Sequence, residues 1–357
     1  MLLHYVSALL PAVAARAAPP WALLYDGHSA VYLFFLLSGA VLTPSFARAG
    51  GGLAGQVAKR GVRLFVPVAA ATLIAAGLIA AVPRTHRLAA QITGSAWFAM
   101  DSSGAATPAH VLRELGLDSL LLGYREATLF PALARWLTPM DHSLDAPFWS
   151  LHVELYGSLL VLALVGLRRH GPAWHGAGVA ASFAAFAAQP LALFVIGHLA
   201  ARWMGRRAPS SLPGLAMLAL GLALCAEKDW SSVDALRRGL DWMTLAGAPN
   251  LYQFQSQLGA TVLFAAVLAC PALWGLLTRL AGLGRLSFSL YLLHFPILFT
   301  VVSLVLVRLH PVMSYAGAAG IASVVGLGVT VAASAWFARA VDARAIRLSR
   351  RVAASPA

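Results

Sequence analysis

Charged residues are scarce in this sequence of 357 residues. They account for 11% of the chain, whereas a soluble domain carries about 25%. Hydrophobic residues make up 60% and lie in long continuous runs rather than in the short alternating segments of a membrane barrel. Because only helices and closed barrels satisfy every backbone group in lipid, these runs predict an all-α polytopic membrane protein.

Cysteine and acidic residues are also rare. The two cysteines, Cys225 and Cys270, both lie in apolar runs and are too few for a disulfide scaffold or a cysteine zinc site, so no metal is expected. There are 26 Lys and Arg residues against 13 Asp and Glu residues, a net charge of +13. Such an excess can attract nucleic acid, but here the basic residues are dispersed among loops, and no nucleic-acid partner is expected.

Membrane spans need about 20 mostly apolar residues, and ten segments approach that length. The predicted spans are 2–18, 29–47, 62–82, 148–167, 173–188, 190–205, 212–226, 258–279, 286–309 and 313–337. Two polar stretches, 83–147 and 227–257, are predicted to be extracytoplasmic, and 338–357 to be a cytoplasmic tail. The chain is interpreted as a single membrane domain, 1–357.

The distribution of charge predicts the orientation. With both termini in the cytoplasm, 16 of the 26 basic residues fall in inner segments, whereas 11 of the 13 acidic residues fall in outer ones. Lys and Arg retained on the cytoplasmic side set membrane orientation, so both termini are predicted to be cytoplasmic. Acidic residues of the 83–147 stretch, including Asp118 and Asp145, are expected to be solvated.

The first apolar segment carries a histidine. No basic residues precede it, so it is interpreted as a retained span rather than a cleaved signal peptide. An imidazole is the proton acceptor best matched to neutral pH, which makes His4 a candidate base. The alternative is a histidine at the membrane surface, since it lies three residues from the first residue.

Small and polar residues mark the second span. Ser38 and Gly39 end an aromatic run that begins at Tyr32, and small residues let transmembrane helices approach closely. Helix packing is the simpler interpretation, and Ser38 is also a candidate substrate contact. His28, just before the run, either lines an outer vestibule or is solvated.

Three basic residues lie where the third span is predicted to meet the cytoplasm. Arg60 and Arg63 are three apart and share a helix face, with Lys59 beside them. Guanidinium forks match phosphate oxygens, so the group is a candidate site for a phosphate-bearing ligand. The alternative is ordinary positive-inside anchoring.

The fourth predicted span contains one acidic residue, Glu154. Ser150, Glu154 and Ser158 recur every four residues and form one polar stripe, with Trp149 at its start. A lone carboxylate within the membrane is a functional candidate, the alternative being a structural partner for an arginine. Trp149 and Ser150 are candidate substrate contacts.

A second stripe follows in the ninth predicted span. Ser287, Tyr291 and His294 lie at i, i+4 and i+7, and Pro296 is expected to loosen the helix just beyond them. A hydroxyl, a phenol and an imidazole on one face are typical of a cavity wall or of hydrogen bonding between helices.

These segments together resemble the acyltransferase-3 family of integral membrane acyltransferases. The resemblance runs almost end to end and in the family's order. The matching segments are His4 in the first span, Tyr32 to Gly39, Arg60 with Arg63 and Pro67, Trp149-Ser150-Leu151 with Glu154 and Tyr156, Leu283 to Ser287 leading to Tyr291, His294 and Pro296, and Val341 to Arg350. In the last of these, Asp342 replaces the usual glutamate. The chain also has few residues before its histidine, and His28-Ser29-Ala30 stands where the family often has a glycine.

The resemblance implies a function for these residues. It implies a bacterial inner-membrane O-acyltransferase that takes an acyl group, most often acetyl, from cytoplasmic acyl-coenzyme A to a hydroxyl of a sugar or surface polysaccharide. It also implies that His4 is catalytic. We expect Glu154 to support His4 as its charge develops, and Tyr291, Ser287 and His294 to offer donors to the oxyanion.

Two other classes remain open. Intramembrane histidine and glutamate also serve proton-coupled transporters and flippases, although no inverted repeat is evident in the sequence. A structural membrane subunit would leave several polar groups in lipid unexplained. For the acyltransferase, the expected acceptor is a glycan or glycoside.

Overall fold

The computed structural model describes residues 2–16, 26–49, 52–101, 107–204, 212–226, 230–240, 250–279 and 281–354, and this part of the chain is helical with no β-strand. The α-helices of the first half are α1 Leu2–Leu9, α2 Pro11–Arg16, α3 Gly27–Arg48, α4 Leu53–Ala81, α5 Thr85–Thr93, α6 Pro108–Arg113, α7 Leu151–His170, α8 Pro172–Phe186 and α9 Pro190–Ala200. Those of the second half are α10 Leu212–Ala226, α11 Ser231–Leu240, α12 Leu251–Ala269, α13 Pro271–Arg279, α14 Ala281–Ile297, α15 Ser303–Leu309, α16 Tyr315–Phe337 and α17 Ala343–Ala354.

Five helices in the described part are long and apolar enough to cross a membrane, or six if one bent pair counts as a single span. They are Gly27–Arg48, Leu53–Ala81, Ala146–His170, Gly284–Leu309 and Tyr315–Val352. Five of the predicted spans thus coincide with helices of membrane-spanning length. Pro190–Trp203 and Leu212–Ala226 are apolar but shorter, so ten spans and two cytoplasmic termini stay a prediction.

The first predicted span is not one continuous helix. Within residues 2–16, α1 ends at Leu9 and α2 begins at Pro11. Proline has no backbone N–H and disfavours helical geometry in the residue before it, which interrupts the helix at Leu10. Neither α1 nor α2 alone is as long as a span.

The bent pair has a similar cause. Helices α12 and α13 meet at an angle of 96°. Cys270 between them is extended, with φ of −120° and ψ of 104°, because Pro271 follows it. The predicted span 258–279 is therefore a broken one.

The chain packs as two compact units. The first comprises Met1–Ala17, Ala58–His152 and Gly282–Ala357, and the second comprises Ala18–Val57 and Val153–Ala281. The first unit has a core to which α1, the 83–147 stretch, α15 and α16 contribute; its members include Tyr5, Ala8, Phe98, Leu306 and Ala322.

In the second unit, α3 and α9 approach closely through glycines. A Cβ at Gly39 would lie 2.3 Å from the carbonyl oxygen of Phe194, and one at Gly197 would lie 2.1 Å from that of Leu36. Only glycine fits either position, since both oxygens belong to backbone. The prediction that the Ser38-Gly39 pair permits close helix packing is confirmed.

The described parts of the 83–147 stretch, 83–101 and 107–147, are folded rather than a solvated loop. Glu114, Asp118 and Asp145 are completely buried, so the expectation that Asp118 and Asp145 are solvated is wrong. Asp118 accepts a hydrogen bond of 2.6 Å from Thr138, and Glu114 accepts one from Tyr124. Burial raises the pKa of the Glu114 and Asp145 carboxyls above their ordinary values, because a charged carboxylate loses its hydration there.

Candidate active site

His4 is held in the first unit by its neighbours on α1. The hydroxyl of Tyr5 lies 3.0 Å from the hydroxyl of Thr330 on α16. The hydroxyl of Tyr315, also on α16, donates to the carbonyl of Leu9. These two bonds fix both the position and the rotation of a helix too short to be stable alone.

The partner of His4 is His294 on α14. Nδ1 of His4 lies 2.9 Å from Nε2 of His294, and Nδ1 of His294 lies 3.0 Å from the carbonyl oxygen of Leu290 and 2.9 Å from that of Tyr291. Because a carbonyl can only accept, Nδ1 of His294 carries the hydrogen and Nε2 of its neutral ring accepts. Nδ1 of His4 therefore donates, and Nε2 of His4 carries a lone pair.

Aromatic rings surround the His4 imidazole. The indole of Trp97 meets it edge-on at 4.7 Å, and Phe295 does so at 5.4 Å, measured between ring centroids. His4 is half-buried, whereas His294 is only 2% exposed. Apolar rings thus surround the His4 imidazole, and the more buried His294 lies on its Nδ1 side.

The helix changes geometry directly after His294. Pro296 lies inside the last turn of α14, and Leu298–Val302 continue as a π-helix. Proline removes one backbone hydrogen bond, and the wider π turn accommodates the defect. The expected loosening beyond His294 is confirmed.

Tyr291 forms hydrogen bonds to another segment, which is one of the two interpretations of its stripe, whereas Ser287 does not. The Tyr291 hydroxyl donates to the carbonyl of Pro147 and lies 2.8 Å from the hydroxyl of Ser150, which then donates to it. Tyr291 thereby ties α14 to the start of the fourth span. Ser287 is exposed and donates to the carbonyl of Gly284 on its own helix, so the prediction that it shares a cavity wall with His294 is wrong.

The three basic residues lie on α4 as predicted, but Arg63 is paired with a carboxylate of the protein itself. Arg63 contacts both carboxylate oxygens of Asp342, and its guanidinium lies 5.6 Å from the ring centroid of Phe288. Its fork is therefore already engaged by the protein. Lys59 and Arg60 are half-buried one turn closer to the start of the helix.

Other predicted residues lie in the second unit. Glu154 is 3% exposed, and its Oε1 accepts a hydrogen bond of 3.1 Å from the Ser38 hydroxyl. His28 lies edge-on to Tyr252, with 5.2 Å between ring centroids. Within the first unit, Trp149 is half-buried and Ser150 is buried. The partner of His4 at Nδ1 is His294, a role for which the sequence suggested Glu154.

A family model describing an acyltransferase domain matches residues 1–339 of the chain. The chain belongs to the acyltransferase-3 family. No curated protein and no solved structure shows significant similarity to it. The resemblance inferred from the sequence motifs is confirmed, and the chain is an integral membrane acyltransferase.

Some parts of this acyltransferase site could not be read from the sequence. Trp97 lies in the polar stretch, where no pattern distinguishes it from an interfacial tryptophan. The contact between His4 and His294 joins residues 290 apart, and although both were candidates, nothing in their spacing paired them. Asp342 was part of a matched segment, but the sequence did not indicate that it binds Arg63.

Proposed function

We propose that this acyltransferase moves an acyl group, acetyl in the simplest case, from acyl-coenzyme A to a hydroxyl of a sugar or surface polysaccharide at the bacterial inner membrane. One observation carries the proposal. His4 and His294 form a hydrogen-bonded pair that ends on two backbone carbonyls, and this arrangement makes Nε2 the basic nitrogen of His4. An alcohol that attacks a thioester needs such a base.

The reaction balances through this pair. Nε2 of His4 takes the acceptor's hydroxyl proton as the oxygen forms a bond to the thioester carbon. The carbon–sulfur bond then breaks, and the imidazolium returns the proton to the departing thiolate. While His4 is charged, its Nδ1–H donates to His294, and this charge-assisted bond is stronger than the neutral one.

The basic group on α4 supports a phosphate-bearing donor. Arg63 is oriented by Asp342, and we assign Arg60 and Lys59 to the phosphates of coenzyme A. Glu154 with Ser38, and His28, Trp149 and Ser150, remain proposals for charge balance and acceptor contact.

An activity assay tests this function. Purified protein is given acetyl-coenzyme A with methyl glycosides as acceptors, and free thiol is followed with a chromogenic reagent. We expect acceptor-dependent thiol release and an acetylated glycoside by mass spectrometry. Surface glycans from cells with and without the gene should differ by the same acyl group. Movement of a glycan across vesicles without thiol release would instead support a carrier.

The donor assignment has its own test. Arg60→Ala should raise the KM for acetyl-coenzyme A about tenfold or more, since a lost charge-assisted bond to phosphate weakens binding by about that factor. Arg84→Ala is a control in the loop that follows α4. An unchanged KM in the Arg60 variant would make the basic group a membrane anchor only.

A further inference from the structure

The second unit contains a basic cavity that the reaction above does not use. Its volume is about 490 Å³, and its polar lining consists of Thr43, Arg168, His175, His198 and Arg202. None of the described residues that line it is acidic. Two guanidinium groups at one cavity favour an anion.

A hydrogen-bond chain fixes the histidines in the cavity wall. The Thr43 hydroxyl donates to the carbonyl of Gly39 at 2.7 Å, so it accepts from Nδ1 of His198 at 2.8 Å. Nε2 of His198 then accepts from Nε2 of His175, also at 2.8 Å. His198 is buried, so these hydrogen bonds lie on the inner side of the cavity wall. The two arginines, Arg168 and Arg202, lie on the exposed side of the cavity.

An apolar groove of about 720 Å³ adjoins this cavity. It runs between α9, α10 and α12, and its lining includes Met217, Phe264 and Leu268. The groove shares Leu199 and Arg202 with the basic cavity. A compact charged pocket therefore continues directly into an apolar channel.

Arg202 lies at the junction of the two. Its guanidinium lies 4.1 Å from the ring centroid of Trp203, and this contact keeps the charge at the end of the apolar groove. Arg168 and Arg202 also lie at the ends of the predicted spans 148–167 and 190–205 that the predicted orientation places on the cytoplasmic side. Anionic lipids of that leaflet attract basic residues near the membrane surface.

We propose that the two cavities form one site for a lipid with a phosphate headgroup. The phosphate would lie between Arg168 and Arg202 beside the histidine chain, and an acyl chain would follow the groove along α12. The positive charge of the two arginines favours an anionic headgroup, and the continuous apolar lining of the groove favours an acyl chain. The site uses neither His4 nor the basic group on α4, so the lipid proposal can be tested independently of the proposed transfer reaction.

Native mass spectrometry of the delipidated full chain tests the site with three probes. Phosphatidylglycerol carries both phosphate and chains, dioleoylglycerol carries chains alone, and glycerol 3-phosphate carries phosphate alone. We expect phosphatidylglycerol to bind at least about tenfold more tightly than either fragment. Equal binding of glycerol 3-phosphate would overturn the lipid assignment, and equal binding of dioleoylglycerol would overturn the phosphate assignment.

Variants locate the site. Arg168→Gln and Arg202→Gln should each weaken phosphatidylglycerol binding about tenfold, the usual effect of one lost charge-assisted bond. Arg169→Gln is the matched control, because Arg169 donates to the carbonyl of Phe46 and does not line the cavity. Ala265→Phe should fill the groove and weaken phosphatidylglycerol binding but not glycerol 3-phosphate binding. An equal loss in the Arg169 variant, or no binding of phosphatidylglycerol to the wild-type chain, would overturn the proposal.

Discussion

Removing the His294 imidazole should slow acyl transfer without weakening the binding of acyl-coenzyme A. In His294→Ala, Nδ1 of His4 loses the acceptor that lies 2.9 Å away, so the ring can rotate and can adopt the other tautomer. The bond matters most when His4 is charged. A hydrogen bond to a charged group contributes about 1.5–3 kcal/mol, which corresponds to a loss of roughly 10- to 150-fold in kcat.

The assay is steady-state thiol release with acetyl-coenzyme A and a fixed acceptor. We expect the KM for acetyl-coenzyme A to stay within about twofold, since the hydrogen bonds of His294 are to His4 and to the backbone of its own helix and not to the basic group on α4. His294→Gln should recover part of the loss, because its amide oxygen can accept from Nδ1 of His4.

Two results would refute this reasoning. One is a His294→Ala variant that turns over at the wild-type rate. The other is a loss confined to KM, which would mean that His294 shapes the donor site. His170→Ala, at the exposed end of α7, should leave both constants unchanged.

Three further predictions concern stability. Gly326→Ala should cost about 1–3 kcal/mol and slow transfer, because a Cβ there would lie 3.0 Å from the Tyr5 ring and even closer to the Val302 side chain, loosening the helix that carries His4. Arg63→Ala should cost about 1.5–3 kcal/mol, since Asp342 is only 13% exposed and would lose both contacts. Asp145→Asn should stabilise the protein at neutral and alkaline pH. The raised pKa of Asp145 means that folding opposes ionisation, so the gain should vanish as the pH falls to 3.8, the ordinary value.

Thermal unfolding in detergent measures all three, with a matched control for each. Gly328→Ala on the same helix meets nothing within 4 Å and should be neutral or stabilising. Arg339→Ala removes an exposed arginine near Asp342 and should change little. Asp141→Asn, at an exposed carboxylate, should change the unfolding temperature little. If a variant and its control unfold at the same temperature, the contact invoked for that variant does not have the predicted effect on stability.

Much of the helical architecture follows from the sequence because apolar length alone decides whether a segment can span a bilayer. The spans 29–47 and 313–337 were predicted on that basis, and they correspond to the helices Gly27–Arg48 and Tyr315–Val352, the second of which continues into the predicted tail. The breaks at Leu10 and Cys270 have equally local causes in Pro11 and Pro271, but the average hydrophobicity of a segment does not record them.

The candidate site was predicted less completely. His4, His294 and Glu154 stood out because polar groups are costly in lipid, a property of each residue alone. Their partners depend on tertiary packing, which brings His294 within hydrogen-bond distance of His4, and Ser38 within hydrogen-bond distance of Glu154. Asp145 was misjudged for the same reason, since an aspartate in a polar stretch resembles a solvated one until the packing around it is known.

The central claim is that His4 takes the acceptor's proton. The most direct test is acceptor-dependent thiol release by His4→Ala protein that is inserted and unfolds at the wild-type temperature. General-base catalysis contributes about 100- to 10,000-fold, so we predict a loss of that size. A rate within about twofold of the wild type would be far smaller than that range and would contradict the account.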